Sequence, residues 1–324
     1  MQISYTVYLG IIDTLITMKS ILVLLSFLVI FCTSSSAQNR KVLPGTKLSI
    51  VPPENFVPGT NFTGFQQIST NSSIMVTLIP GPYNKIREGA TADRMKTTGV
   101  VVTDIHDTTF NNYKAVLVKG TQYAHGATFA KEILMFGDAD KTIMVASACP
   151  ETDKALMALL QKSAFSVQYD ENQQAKPEDA VAFSIDTTGT NFILEPNMNG
   201  ILSYKLKGEP DRANVMFMAA GSVATVFAED KKAYTLTRLK KLPGHENDKI
   251  ISCVPVKIDG LPGYEVVATQ QLASKAVNEK ILLVMLYSTE NGYYYMIAGI
   301  AKKDVEKHMD TFKKMSRTFK RKKT

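Results

Sequence analysis

Four histidines are the side chains best suited to proton transfer or metal binding. They are His106, His125, His245 and His308, and no two of them stand at ligand spacing such as His-x-x-x-His. Asp104-Ile-His106-Asp107 places carboxylates beside an imidazole, which is the arrangement that orients a general base or adds a metal ligand; the same residues also read as a polar turn between strands. His245 lies in Pro243-Gly-His-Glu-Asn247, a turn by composition, and His308 falls on a closing helix with an exposed position expected. Tyr293-Tyr-Tyr295 is the densest aromatic run. On a strand Tyr293 and Tyr295 share one face, available either to stack on a ligand or to pack beneath a helix.

Cys149 and Cys253 are the cysteines that follow the leader described below. Both lie at or near expected strand ends beside prolines; two readings stand open, two separate buried thiols or, in an exported protein, one disulfide that could join the two parts of the chain. There is no Gly-x-Ser-x-Gly, no phosphate-binding glycine loop and no Gly-x-Gly-x-x-Gly. The expectation is therefore no catalytic residue, no metal and no cofactor, with Asp104, His106, His245, Tyr293 and Tyr295 as ligand-binding candidates. Asn61-Phe-Thr63 and Asn71-Ser-Ser73 match the glycosylation acceptor pattern, which is common by chance.

The elements that must position these residues fall into two similar sets. Tyr113-Lys-Ala-Val116 recurs as Tyr264-Glu-Val-Val267, and Met144-Val-Ala-Ser147 as Met296-Ile-Ala-Gly299, in the same order. Met157, Leu160 and Val167 recur as Met309, Phe312 and Phe319, and Glu132-Ile-Leu-Met as Glu279-Lys-Ile-Leu-Leu-Val. Each set reads as β-rich runs separated by turn residues and closed by a helix: Tyr113 to Lys119, Lys131 to Phe136 and Thr142 to Ala148 in the first, Tyr264 to Thr269, Lys280 to Tyr287 and Tyr293 to Ile300 in the second. The closing helices are expected at Thr152 to Ala164 and after a cap at Asp304, with Leu156, Leu160, Met309 and Phe312 turned inward. Front helices are expected at Tyr83 to Thr97 and Val223 to Lys241, preceded by strands at Lys47–Val51, Ser73–Ile79, Ile201–Lys207 and Val215–Ala220.

The fold class that follows is α+β: two tandem α/β/α sandwich domains, each with a mainly antiparallel sheet and a C-terminal helix. The first domain occupies 41–170, a polar Pro-containing linker 171–178, and the second domain 179–324. Residues 1–37 are an address. Lys19, the apolar run Ile21 to Phe31 and Ser35-Ser36-Ala37 form a secretory signal peptide with cleavage after Ala37 and a true start at Met18. The run is shorter than the ~20 residues of a membrane-spanning helix.

The chain carries 37 Lys and Arg against 30 Asp and Glu, a net charge of +7. Lys313, Lys314, Arg317, Lys320, Arg321, Lys322 and Lys323 account for that excess and have no acid among them. A basic tail on a neutral body is not the spread basic face of a nucleic-acid binder, so no nucleic acid is expected. The tail reads as a solvated helix end, with weak contact to an anionic surface as the alternative.

Leu48-Ser-Ile-Val-Pro-Pro-Glu-Asn-Phe56, the central hairpin, and the strand-to-helix closes at Met144–Val167 and Met296–Phe319 resemble the PsbP-like superfamily in two tandem copies. That superfamily includes the extrinsic P subunit of photosystem II and secreted proteins of the LpqN type. The second copy opens on Phe183-Ser-Ile-Asp186 without the Pro-Pro turn. The resemblance implies binding or assembly rather than catalysis. The expected function is an exported, non-catalytic binding or assembly protein, periplasmic or secreted, acting on an envelope protein or small ligand. Two readings compete with it: a hydrolase with a site between the domains built from Asp104, His106 and His245, and a surface-associated protein using the basic tail.

Overall fold

The computed structural model describes residues 39–322, apart from 125, 196–199, 210–213, 224, 272–277 and 291. The leader, its cleavage site, His125 and Lys323 lie outside the described residues.

The chain enters through two short strands, β1 (Lys41–Val42) and β2 (Leu48–Ile50), the second burying Leu48 and Ile50 on alternate positions. Then come β3 (Val57–Pro58), β4 (Gly64–Gln67) and β5 (Ser72–Pro80). Helices α1 (Tyr83–Glu88) and α2 (Ala92–Thr97) lead into a meander of long strands: β6 (Val100–Phe110), β7 (Tyr113–Ala124), β8 (Ala127–Gly137) and β9 (Lys141–Pro150). Helix α3 (Lys154–Ala164) and the short β10 (Gln168–Tyr169) close the first half. The second half repeats this order with β11 (Phe183–Ser184), β12 (Phe192–Leu194), β13 (Ile201–Leu206), β14 (Val215–Gly221), α4 (Lys231–Lys240), β15 (Lys249–Ile258), β16 (Leu261–Gln271), β17 (Asn278–Tyr287), β18 (Tyr294–Ala301), α5 (Val305–Arg317) and β19 (Lys320–Arg321).

Each half builds a seven-stranded sheet, ordered β3-β4-β5-β9-β8-β7-β6 and β12-β13-β14-β18-β17-β16-β15. The two orders are the same once strands are matched by position. The long strands pair antiparallel throughout. In both halves the entry strand also pairs with the strand after the closing helix, β2 with β10 and β11 with β19.

Alternation along the strands divides the apolar residues between two faces of each sheet. On one face α3 buries Leu156, Leu160 and Ala164 against Leu117, Leu134 and Val145, and α5 buries Met309, Phe312 and Met315 against Phe217, Leu282 and Ile297. The opposite faces carry the front helices. Tyr83, Ile86 and Met95 cover Val116, Val118, Ile133 and Met135, while Tyr234, Leu236 and Leu239 cover Val266, Ala268, Ile281 and Leu283. Both halves are thus three-layered α/β/α sandwiches, and the α+β class holds.

Several expectations need correction. The first front helix is two: α1 ends at Gly89, and Thr91 caps α2 by accepting a hydrogen bond from Arg94 N at 3.4 Å. The second begins only at Lys231, where Asp230 accepts from Ala233 N at 2.9 Å. Ahead of it Ser222 N and Val226 N donate instead to Tyr294 O and Gly292 O at the start of β18 and in the turn before it. His308 is not exposed; it is 8% accessible on the inward side of α5. Asp304 precedes α5 in a left-handed conformation (φ 46°) and makes no side-chain cap.

The basic tail is not a free helix end. Arg317 donates to Glu265 Oε2 at 2.6 Å, Arg321 Nε to Asp259 Oδ2 at 2.8 Å, and Lys322 N to Ala182 O at 2.8 Å. Lys320 and Arg321 form β19 itself, while Lys313 and Lys314 stay exposed on α5.

Candidate functional site

Of the expected site residues, Asp104 and His106 lie on β6, an edge strand, not in a turn. Their side chains meet at 2.8 Å (Oδ2 to Nδ1), both half exposed. The polar alternation there is that of an edge strand with one wet face.

His245 is buried, 4% accessible, in the loop between α4 and β15. Its Nδ1 is 2.8 Å from Asp248 Oδ2 and its Nε2 is 3.6 Å from Glu279 Oε1. Glu279 also takes Lys302 Nζ at 3.1 Å. The backbone of the same loop is tight, His245 N donating to Leu242 O at 3.0 Å. These groups meet on a buried patch of sheet, and together they clasp the loop onto the second sheet. His106 and His245 each keep their own local carboxylate, on different sheets, so they do not build one hydrolytic site. Among the described residues, no group of His, Cys, Asp and Glu is placed to hold a metal ion.

Tyr295 faces the closing-helix layer, edge-on to Phe183 at 5.7 Å and tilted against Phe319 at 4.9 Å, so it is core rather than ligand contact. Tyr294 turns the other way onto Tyr234. Tyr293 lies just before β18 and reaches a cavity described below. Both cysteines are free thiols, so of the two alternatives the separate thiols hold and the disulfide does not. Cys149 is buried in the α3 layer of the first sheet, and burial pushes its pKa up to about 11. Cys253 packs in the α4 layer of the second sheet on β15, and burial raises its pKa too. Neither is poised as a thiolate nucleophile. Asn61 of the first glycosylation pattern is buried, its Nδ2 donating to Ser222 O at 2.7 Å across the two halves.

The cavity has a volume of about 460 Å³, within the range of small-molecule sites. Its floor is the front-helix face of the first sheet, at the end that α1 and α2 leave bare: Ser73 of β5, Gln122 of β7, Phe129 and Lys131 of β8, and Ala148 of β9. Its roof comes from the second half, through Val223, Thr225 and Tyr293. Phe62, Gln67 and Asn71 contribute to the wall. Of this set the sequence singled out Tyr293 as a ligand-binding candidate, and Phe62, Asn71 and Ser73 only as parts of glycosylation patterns. Lys131 and Phe129 gave no signal because, within a strand, they read as ordinary members of the alternation.

Why this patch is open follows from comparing the halves. Met135 pairs with Met144 in the first sheet, and Met285 pairs with Met296 in the second. All four face their front-helix layers, so they fix the correspondence. Counting four residues along each strand matches Lys131 to Ile281 and Ala148 to Ile300, which are likewise cross-strand partners in their own sheets. In the second half this patch is filled: Ile281 is in the core beneath α4, and the His245 loop closes the end beyond it. In the first half Thr98-Gly99 alone joins α2 to β6, so no loop reaches over the patch.

Among the described residues of the lining, Lys131 is the charged one and none carries a carboxylate. Burial pushes its pKa below the ordinary lysine value, and no acid opposes that shift. Gln122 is held by a bond from its Nε2 to Thr98 O at 3.0 Å, and Gln67 Oε1 accepts from Thr70 at 2.7 Å. The wall thus offers one ammonium, neutral hydrogen-bonding groups, and the rings of Phe62, Phe129 and Tyr293.

No protein-family model matches the chain, and no curated protein matches it. Among solved structures, an immunity protein, TplEi, of the T6SS from Pseudomonas aeruginosa aligns over 87% of this chain and 97% of its own, at 8% identity and a TM-score of 0.34. The Tle4-Tli4 complex gives 82% and 97%, at 9% identity and a TM-score of 0.35. A protein from Bacteroides thetaiotaomicron aligns over 45% of this chain at 12% identity and a TM-score of 0.31, and the chain spans 52% of that protein's length. Similarity this low carries no argument about fold or function.

Proposed function

We propose that this chain is an exported, non-catalytic binding protein whose ligand occupies the cleft between its two halves. One observation carries the reading: two copies of one scaffold differ at the same patch of sheet, filled in the second and left open in the first, where the second copy supplies the roof. A patch left bare by chance would be expected to close with apolar side chains, as Ile281 and Ile300 do in the other copy. Export is supported by the basic start, the Ile21 to Phe31 run and the small-residue exit at Ala37. The two copies are read as PsbP-like modules on the strength of their shared entry strand, meander and closing helix, and an envelope location follows from export.

The test is native mass spectrometry of the full chain purified from its own host. The expected result is a bound small molecule that denaturation releases, absent from the variant Lys131→Ile/Ala148→Ile that copies the filled patch of the second half. Ligand-free wild-type protein, or equal retention in the filled variant, would count against the cleft.

A further inference from the structure

We infer that the cleft between the halves selects a small organic molecule carrying one acidic group, with Lys131 as its counter-ion. The inference rests on the cleft being a binding site and deepens it by assigning the ligand class.

Buried ammonium groups are normally paired, because removing one from water without an anion costs several kcal/mol. Several cations of this fold are paired in that way: Lys119 is 3.4 Å from Glu132, Lys302 is 3.1 Å from Glu279 and Lys141 is 2.6 Å from Asp138. Lys131 departs from that pattern. It lines a half-open space whose walls, among the described residues, hold amides, hydroxyls and rings but no carboxylate. The matching position in the second half is Ile281, so the scaffold does not require a cation there. An anion arriving with the ligand would supply the missing partner, and a charge-assisted bond in this setting is stronger than one in open water.

The remaining lining sets the body of the ligand. Phe129 and Phe62 are buried at the floor and wall, and Tyr293 comes from the roof. These rings suit an aromatic or aliphatic body, while Gln122 and Ser73 suit a hydroxyl or amide on it. One ammonium matches a carboxylate or sulfonate, and it leaves a dianionic phosphate half compensated.

Two fluorescent probes that share a body and differ in charge test the idea on the full chain: 8-anilinonaphthalene-1-sulfonate and the neutral N-phenyl-1-naphthylamine. Titrations are followed by fluorescence and by calorimetry for stoichiometry. The expected result is one sulfonate per chain, with affinity lost about tenfold or more in Lys131→Met. Affinity should be kept in Lys131→Arg, and in Lys313→Met, which removes one charge from the exposed side of α5. Equal sulfonate affinity in wild type and Lys131→Met, with neutral-probe binding that Ala148→Ile abolishes, would overturn the anion assignment and leave the cleft standing. Failure of both probes to bind wild type would overturn both.

Discussion

His308 packs beside the Phe192 and Phe312 pair, with ring centroids each 6.3 Å away, and burial lowers its pKa from the ordinary 6.5. Asp304 pulls the other way, and Lys307 and Lys303 reinforce the shift. The folded state therefore binds this proton less readily than the unfolded chain does. Its contribution to stability is complete above the ordinary value and is lost as the pH falls below it through the folded value. Denaturant unfolding at pH 7.5 and 5.5 should show a larger loss for wild type than for His308→Leu; equal losses would refute the assignment. Lys131 makes the converse case. Replacing it with Ile, the residue of the matching position, removes a partly buried ammonium, so the ligand-free protein should melt a few degrees higher. A lower melting temperature would mean the lysine stabilises the wall. Residues such as these are hard to read from sequence. His245 looks like a turn residue because its partner Glu279 lies on a distant strand, and Lys131 looks solvent-facing because nothing local says that a second half roofs it.

The closing helices show how capping and packing divide the work of holding an element. Asp153 caps α3 by accepting from Leu156 N at 2.9 Å, whereas the side chain of Asp304 before α5 makes no cap and its backbone is held in the left-handed region. Asp153→Ala should cost about 1 kcal/mol, while Asp304→Gly should be neutral or stabilising, because glycine adopts that backbone without penalty. Chemical denaturation of the two variants checks the contrast; equal costs would contradict it. α5 depends on its buried stripe. A methyl group at Gly299 of β18 would fall 2.4 Å from the Phe312 ring, so Gly299→Ala should cost about 1–3 kcal/mol by the same measurement. These helices and the inner strands were legible in sequence because their apolar spacing is strict. The edge strands β6 and β15 were not, since an edge with a wet face alternates weakly and carries residues that also suit turns. The internal repeat was legible at Leu160 and Phe312, which occupy matching cores. It was misleading at Tyr113 and Tyr264, which face opposite layers, because a one-residue slip in a strand reverses the face.

At the scale of the whole molecule, the two halves touch through a short polar contact as well as through the cleft. Asn61 Nδ2 donates to Ser222 O, and a methyl group at Gly221 would fall 2.5 Å from Asn61 Oδ1. Gly221→Ala should therefore destabilise the protein by about 1–3 kcal/mol, and most of that cost should vanish in an Asn61→Ala background. Additive costs in the double-mutant cycle would show that the strain lies elsewhere. The same contact lies beside Phe62 and Val223, so the alignment of the halves and the shape of the cleft are set together. Such coupling suits a binder, in which a ligand held by both halves stabilises the joined arrangement.

The most direct measurement is a crystal structure of the full chain purified from its own host. The account predicts electron density for an organic molecule in the cleft, with an acidic group within hydrogen-bond distance of Lys131 Nζ and a body against Phe129 and Tyr293. A cleft filled by its own side chains, or by ordered water with Lys131 turned out to solvent, would contradict it.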